Sequence, residues 1–186
     1  MNGFVNIMEG LAEFAELSSG LQKKQTPLGA VGVSDSVRAH LVFCACEKLN
    51  CGGLVVAHND ISANEIYNDL CCFAGPDRVL KFNSSELMLY DAEARGKDVL
   101  RTRLDVLNKL QSTEEKLFVV TSFEGLTEVT LPKNIWEEHS LSLTVGDEIE
   151  LSDLADKLLW LGYRREEMVE GAGQFSIRGG IVDVFP

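Results

Sequence analysis

The first two thirds of the chain alternate between helical and strand-like patterns of hydrophobic residues. Apolar residues from Phe4 to Phe14 recur at helical spacing and predict one helix that ends near Gly20. Beyond it, short apolar runs bounded by turn residues alternate with amphipathic stretches. The predicted strands are 27–33, 53–58, 78–82 and 117–122, and the predicted helices are 35–50, 62–75 and 97–110.

These strands are apolar throughout rather than alternating, which is typical of strands that are covered on both faces. Strands that are joined by helical crossovers of this length form parallel βαβ units. We therefore predict an α/β domain with a parallel sheet over residues 1–127.

The pattern changes after residue 127. Residues 140–149 alternate between apolar and polar, which predicts a half-exposed strand that ends in a turn at Gly146-Asp147. Ser152 is predicted to cap a helix that runs to Leu161. Residues 163–186, with a Gly-Ala-Gly turn inside them, predict a β-hairpin. Together these elements predict a smaller α+β domain over 128–186, and because its last strand reaches the final residue we expect the chain to be a piece of a longer protein.

Charge argues against duplex binding by this chain alone. The 186 residues have a net charge of −12, and residues 111–186 carry 6 basic and 15 acidic side chains. A field of this sign repels the phosphate backbone, so a protein partner is the better expectation. No apolar run approaches the roughly 20 residues of a membrane span, and the first residues lack the basic side chains of a signal peptide. We therefore expect a cytoplasmic protein with no membrane partner.

The five cysteines do not indicate a disulfide framework or a metal site. Their number is odd and the chain shows no export signal. Paired zinc ligands are usually separated by two residues, whereas the gaps here are one, four and none. We expect small buried hydrophobic residues on helices at Cys44, Cys46, Cys51, Cys71 and Cys72.

Residues 29–36 have the length of a phosphate-binding loop but not its chemistry. Such a loop needs a second glycine followed by a lysine and a hydroxyl residue, between a strand and a helix. Gly29 and Ser36 are in place, but Ser34 and Asp35 replace the glycine and the lysine. A carboxylate here repels a triphosphate, so we predict that ATP and magnesium do not bind. The simpler alternative is that Ser34 and Asp35 only cap the following helix, and both interpretations can hold together.

His58 and Asn59 end the second predicted strand, at the edge of an α/β sheet where ligands usually bind. Because the chain is acidic and the loop is degenerate, we favour a structural role. The expected role is capping of helix 62–75 by Asn59 or Asp60.

Three stretches, 53–70, 140–170 and 173–186, resemble the excision-repair helicase UvrB and the transcription-repair coupling factor (Mfd) family. The last stretch, with the preceding Gly-Tyr-Arg, carries the most specific likeness. UvrB has an intact phosphate loop and a tyrosine-rich hairpin, whereas this chain has the altered loop and only Tyr90 between Phe82 and Leu100. The chain is therefore more similar to the amino-terminal UvrB-homology module of the coupling factors.

The resemblance implies a RecA-like first domain similar to UvrB domain 1a, and a second domain similar to UvrB domain 2, which binds UvrA. It implies a non-catalytic adaptor that holds no cofactor and recruits nucleotide excision repair to stalled RNA polymerase. ATP, magnesium, RNA polymerase and DNA would belong to further domains of an ATP-dependent translocase. The alternative is an ATP-binding, UvrB-like helicase domain.

Carried over position by position, the resemblance implies that UvrA contacts Arg164, Arg165, Phe175 and Arg178. UvrB has a further arginine at the position of Ser176, so one charged contact differs. By strand alternation Ser176 and Arg178 share a face opposite Phe175, which leaves Phe175 open as core or contact. Without the resemblance, the arginines would be interpreted as solvated partners of Glu166, Glu167 and Glu170.

Overall fold

The computed structural model describes residues 2–84, 94–130 and 132–186. The chain divides into two compact units, Met1–Glu128 and Val129–Pro186, which we call unit 1 and unit 2. The predicted boundary after residue 127 lies one residue from this division. Unit 1 combines helices with a parallel sheet, which confirms the predicted α/β class. Within the described part of the chain, no helix combines the length and the hydrophobicity that crossing a membrane requires.

A three-stranded parallel sheet with the order β1-β3-β2 forms the centre of unit 1. Phe118 at the start of the central strand pairs with both Gly53 and Val79, which sets the register of the two edge strands. The elements are α1 (Asn2–Glu9), α2 (Ala12–Gln22), α3 (Asp35–Leu49), β1 (Gly53–Ala57), α4 (Asp60–Ala74), a short 3-10 turn (Pro76–Arg78), β2 (Val79–Phe82), α5 (Ala94–Ser112), β3 (Phe118–Ser122) and α6 (Phe123–Thr127).

The core of unit 1 forms where α3 and α4 pack against each other and against β3. Phe43, Leu70 and Phe118 have at most 1% of their surface exposed. The ring of Phe43 stacks on Phe73, with 5.9 Å between the centroids. Each fully buried side chain of this size contributes about 1.5–3 kcal/mol to folding, so this layer is the main source of stability in unit 1.

Two thiols belong to this core. Cys44 and Cys46 are buried cysteines on α3. Burial raises the pKa of the Cys44 thiol to about 11 and that of Cys46 to about 12, and neighbouring Glu47 adds to both effects. Both thiols are therefore neutral at physiological pH. The described residues contain no group of His, Cys, Asp and Glu side chains that could hold a metal ion.

The beginning of the chain differs from the prediction. The predicted single helix is divided into α1 and α2, with a turn in which the Leu11 N–H donates to the Met8 carbonyl at 3.0 Å. Gly20 does not end a helix but is buried within α2. A Cβ atom at Gly20 would lie 2.9 Å from Leu28 Cδ1, so this glycine permits close packing rather than a helix stop.

Residues 27–33 are not the buried strand that the apolar run predicts. Gly32 has a φ of +79°, in the left-handed region, which interrupts extended backbone. Val31 is 99% exposed, and within the described residues β1 has only β3 as a ladder partner. As a result β1 is an edge strand, and the predicted coverage of both of its faces is also wrong, since Leu54 and Val56 are exposed.

Unit 2 combines helices with a separate three-stranded sheet of order β4-β5-β6. The predicted hairpin around the Gly-Ala-Gly turn is wrong, because β4 pairs with β5 in parallel. The antiparallel hairpin is formed by β5 and β6, which turn at Gly179-Gly180. Leu154 and Leu158 pack around Phe175 in the core of this unit. The elements are α7 (Lys133–Glu138), α8 (Leu151–Trp160), β4 (Arg164–Arg165), β5 (Gln174–Arg178) and β6 (Ile181–Phe185).

Residues 140–149 are not a strand, although the turn inside them forms. The Thr144 N–H donates to Asp147 Oδ2 at 2.7 Å, and the Asp147 N–H donates to the Thr144 carbonyl at 3.0 Å. Nearly all side chains of this segment are exposed, so its apolar residues do not form a buried face. The predicted capping by Ser152 is wrong as well, because α8 begins at Leu151 with Glu150 at the N-cap position.

Candidate partner-binding site and remnant phosphate loop

Residues 30–33 lie beside the carboxyl end of β1. An open cleft of about 620 Å³ separates this segment from Val56 and His58. A Cβ atom at Gly29 or Gly32 would meet nothing within 4 Å, so these glycines are not needed for close packing. No strand precedes the loop within the described residues, so it lacks the strand–loop–helix frame of a phosphate-binding loop.

The side chains of Ser34 and Asp35, at the end of this loop, contact residues of the first turn of α3. Asp35 Oδ1 lies 2.6 Å from Arg38 Nη2, one helical turn further along α3. Ser34 Oγ lies 3.2 Å from Ser36 Oγ. An exposed carboxylate–guanidinium pair therefore stands where a phosphate-binding loop has a lysine. The charge of Arg38, the cation near the loop, is balanced by Asp35.

The two predicted helix caps differ from each other. Asn59 Oδ1 accepts a hydrogen bond from the Ser62 N–H at 2.9 Å and caps α4, as predicted. Asp60, the other candidate, instead accepts a hydrogen bond from Ser84 Oγ at 2.6 Å. Ser34 holds the N-cap position of α3, but its side chain makes no capping bond. Ser34 is therefore the N-cap residue of α3, as predicted, but the predicted capping hydrogen bond to its side chain is absent.

This difference predicts unequal effects of two matched substitutions. Asn59→Ala is expected to lower the free energy of unfolding by about 1 kcal/mol, because the Ser62 N–H loses its acceptor. Ser34→Ala is expected to change it by less than about 0.5 kcal/mol, because its hydroxyl caps nothing. Denaturant unfolding followed by circular dichroism measures both values, and equal losses would show that the caps are equivalent.

Arg103 on α5 is a buried residue that the sequence pattern did not reveal. Only 6% of its side chain is exposed. Nη1 donates to the Asn83 carbonyl at 2.6 Å and lies 3.1 Å from Glu128 Oε2. The guanidinium carbon is 3.9 Å from the centroid of the Phe82 ring. Arg103 therefore joins α5 to the end of β2 and to the last residue of unit 1.

The predicted partner-binding arginines lie on the sheet of unit 2. Arg164 pairs in register with Gln174, and Arg165 pairs with Phe175. Since side chains alternate along a strand, Arg164 shares the face of Ser176 and Arg178, whereas Arg165 is on the opposite face. All three arginines are exposed, and we call Arg164, Arg165 and Arg178 the arginine cluster.

Although alternation assigns Arg165 and Arg178 to opposite faces, both line one shallow groove of about 460 Å³. Arg165 and Arg178 line it with Glu166, Glu167 and Ser176. Ser176 is buried and donates to the Glu167 carbonyl at 3.0 Å. At this position the chain therefore carries a fixed hydroxyl group where UvrB is expected to carry an arginine.

Phe175 is not on the exposed surface of unit 2. Its side chain is fully buried and packs against Leu154 and Leu158. Strand alternation left open whether Phe175 is a core residue or a contact residue, and in the structure it is a core residue. The expectation that Phe175 touches a partner is corrected, because the ring has no exposed atoms to offer.

The arginines do not form the ion pairs that their neighbouring glutamates suggested. In the described ranges, neither Arg164 nor Arg165 has an ion pair with Glu166, Glu167 or Glu170. Arg178 pairs instead across the hairpin, with Nη2 at 2.5 Å from Asp183 Oδ2. A two-residue Gly179-Gly180 turn sets this register, so the hairpin signal in the sequence could have identified Asp183.

The sequence of most of unit 2 is similar to a known family of interaction domains. Residues 141–186 match the family model of the UvrB interaction domain. The match includes the arginine cluster, Phe175 and Asp183. Tyr90, whose isolation set the chain apart from UvrB, lies outside the described residues.

The relatives are transcription-repair-coupling factors. The chain is 29% identical to the protein of Bacillus subtilis (strain 168) over 174 residues, which is 94% of this chain and 15% of the relative. It is 30% identical to the protein of Staphylococcus epidermidis and 28% identical to that of Staphylococcus aureus (strain USA300), each over 83% of this chain and 13% of the relative. The predicted resemblance is thereby confirmed, for a chain that spans about one seventh of the length of these relatives.

Proposed function

We propose that this chain is a non-catalytic adaptor that binds UvrA through the arginine cluster of unit 2. The observation that carries the proposal is the match of residues 141–186 to the UvrB interaction domain, with all three arginines exposed within it. A guanidinium binds carboxylates through a planar fork of N–H groups, and arginine is enriched among residues that dominate binding energy.

Charge distribution makes the arginine cluster distinct within unit 2. Residues 129–186 contain 5 basic and 11 acidic side chains, and three of the five basic ones are the arginines at 164, 165 and 178. The remaining surface is acidic, so a partner that presents carboxylates is attracted to this cluster and repelled elsewhere. The proposed surface is therefore local rather than spread over the unit.

For unit 1 we propose a RecA-like ancestry without nucleotide binding. Asp35 stands at the lysine position, is exposed, and is paired with Arg38. A triphosphate there would meet a carboxylate instead of a cation, and the backbone ahead of the loop is not in the sheet. This arrangement favours an adaptor over the alternative of an ATP-binding, UvrB-like helicase domain.

In the longer protein, we propose that this module recruits nucleotide excision repair to stalled RNA polymerase in the cytoplasm. The relatives carry the name transcription-repair-coupling factor, which supports a place in transcription-coupled DNA repair. By the resemblance, contacts with RNA polymerase and DNA, and ATP-driven translocation, would be functions of other parts of that protein.

The proposal predicts a large loss of UvrA binding when two arginines are removed. Arg164→Ala combined with Arg178→Ala is expected to weaken binding about 30-fold or more, since interface arginines often contribute 1–2 kcal/mol or more each. Fluorescence anisotropy of labelled chain titrated with UvrA measures the affinity. The thermal transition should be unchanged, because both side chains are exposed.

The matched control is Lys133→Ala combined with Lys157→Ala, which removes two exposed positive charges from unit 2 outside the cluster. It is expected to change the affinity less than about threefold, as is typical of charges outside an interface. Undiminished binding of the arginine variant, or equal losses in both variants, would contradict the proposed surface.

A further inference from the structure

Arg178 and Asp183 lie on the same face of the hairpin. The register pairs Ser176 with Asp183 and Arg178 with Ile181, and residues paired across antiparallel strands share a face. Arg178 and Asp183 are therefore diagonal neighbours. Arg178 Nη2 donates to Asp183 Oδ2 at 2.5 Å, which is a short, charge-assisted hydrogen bond.

The pair stands at the surface rather than in the core. The side chains of Arg178 and Asp183 are 61% and 44% exposed. A guanidinium has five N–H donors in a planar fork, and the bond to Asp183 engages the Nη2 end of it. Arg178 also lines the groove that it shares with Arg165, so donors of this exposed side chain remain available to a partner.

We propose that Asp183 is a positioning residue for partner binding, which holds the Arg178 guanidinium in the orientation that binds a carboxylate of the partner. This inference rests on the proposed function. It assigns to Asp183 no contact with the partner, only control of the Arg178 side chain.

The surroundings of Arg178 explain why it needs such a partner. Earlier on the same face, Gln174 Oε1 accepts the N–H groups of Glu170 and Gly171, and Ser176 donates to the Glu167 carbonyl. These short side chains are fixed by their bonds to the backbone. Arg178 is longer, ends β5 and precedes the turn at Gly179, so Asp183 is the group that restrains it. A side chain restrained before binding loses less conformational freedom when a partner immobilises it.

The opposite role for Asp183 is that of a competitor. Its carboxylate occupies donors that a partner carboxylate could use, and it adds negative charge to an acidic surface. The bond to Asp183 engages only the Nη2 end of the fork, so a partner carboxylate can bind the remaining donors without displacing Asp183, and competition is the smaller effect. The two roles predict opposite signs for the removal of Asp183.

A double-mutant cycle with UvrA distinguishes these roles. Asp183→Ala is expected to weaken binding about three- to tenfold, and to have no further effect in the presence of Arg178→Ala. Asp183→Glu is expected to recover part of the lost affinity, because it keeps a carboxylate. Asp156→Ala, which removes an exposed carboxylate on α8 outside the arginine cluster, is the control and should leave the affinity unchanged.

A second measurement is independent of UvrA. In the free chain, the Arg178 Nη–H signals in a ¹H–¹⁵N NMR spectrum are expected to be separate, because the bond to Asp183 slows rotation of the guanidinium group. Asp183→Ala and Asp183→Asn should average these signals. An averaged signal in the wild-type chain would overturn the positioning role even if UvrA binds.

The outcomes separate the inference from the proposed function. If the wild-type chain does not bind UvrA, both fail. If the chain binds UvrA and Arg178→Ala weakens binding, but Asp183→Ala binds equally or more tightly, only the positioning role fails. The same conclusion follows if Asp183→Ala weakens binding equally with and without Arg178, because that loss would be a direct contribution.

Discussion

Phe175→Ala is expected to lower the free energy of unfolding of unit 2 by about 3–5 kcal/mol. The ring is fully buried, and the substitution removes it from the centre of a small core that Leu154 and Leu158 complete. A unit of this size has few other buried side chains, so a cavity here removes a large share of its stability. We expect the variant to be largely unfolded in unit 2.

Tryptophan fluorescence during urea unfolding measures this effect selectively. Both tryptophans of the chain, Trp136 and Trp160, belong to unit 2. Ile181→Thr, at an exposed position of the same hairpin, is the control and should stay within about 1 kcal/mol of the wild type. A loss below about 1 kcal/mol for Phe175→Ala would contradict the core assignment. Phe175→Leu, which keeps an apolar side chain in the core, should retain UvrA binding, whereas a contact role for the ring would make that variant bind poorly.

Arg103→Ala is expected to destabilise unit 1 by about 3–5 kcal/mol, because it breaks a buried ion pair. The substitution leaves the Asn83 carbonyl without its 2.6 Å donor and Glu128 without its 3.1 Å cation. It also removes the guanidinium that covers the Phe82 ring. The substitution would therefore remove the side chain that links α5 to the end of β2 and to Glu128.

Native-state hydrogen exchange of β3 amides measures this effect, since Val120 is fully buried in the centre of the sheet. Asn108→Ala changes an exposed position on the same helix and should leave exchange almost unchanged. Arg103→Lys keeps the charge but not the planar fork, so it should recover only part of the stability. Full stability of Arg103→Lys would show that charge alone is needed at this position.

Local pattern was sufficient to predict most elements of unit 1. Helices α3 and α4 begin within two residues of their predicted starts and end within one residue of their predicted ends, because an apolar face coincides with terminating residues. Asn50 ends α3 in the left-handed conformation, and Gly75 follows α4 with a φ of +86°. Where periodicity and capping chemistry agree, the element forms as predicted.

Where the pattern failed, long-range contacts decided the outcome. Residues 27–33 have the hydrophobicity of a strand, but Gly32 turns the backbone and Leu28 packs against Gly20. Residues 140–149 have the alternation of a strand but no neighbouring strand to pair with among the described residues. Strand formation requires a partner that a local pattern cannot supply.

The candidate site was predicted in part. Family resemblance identified the arginines at 164, 165 and 178, but alternation alone could not decide whether Phe175 is buried. The Arg178–Asp183 pair could have been predicted from the sequence, because a two-residue turn at Gly179-Gly180 sets the register that brings the two residues together. The burial of Arg103 could not have been predicted in this way, because a single arginine in an amphipathic helix is usually exposed. It is buried because α5 packs against Phe82.

Hydrogen exchange of the whole chain, alone, with UvrA and with ATP and magnesium, tests the central claim most directly. The account predicts that UvrA slows exchange in peptides covering 164–185 and leaves 29–36 and 53–58 unchanged. It predicts that ATP with magnesium slows exchange nowhere. Protection of 29–36 by ATP, or protection by UvrA confined to unit 1, would contradict the account.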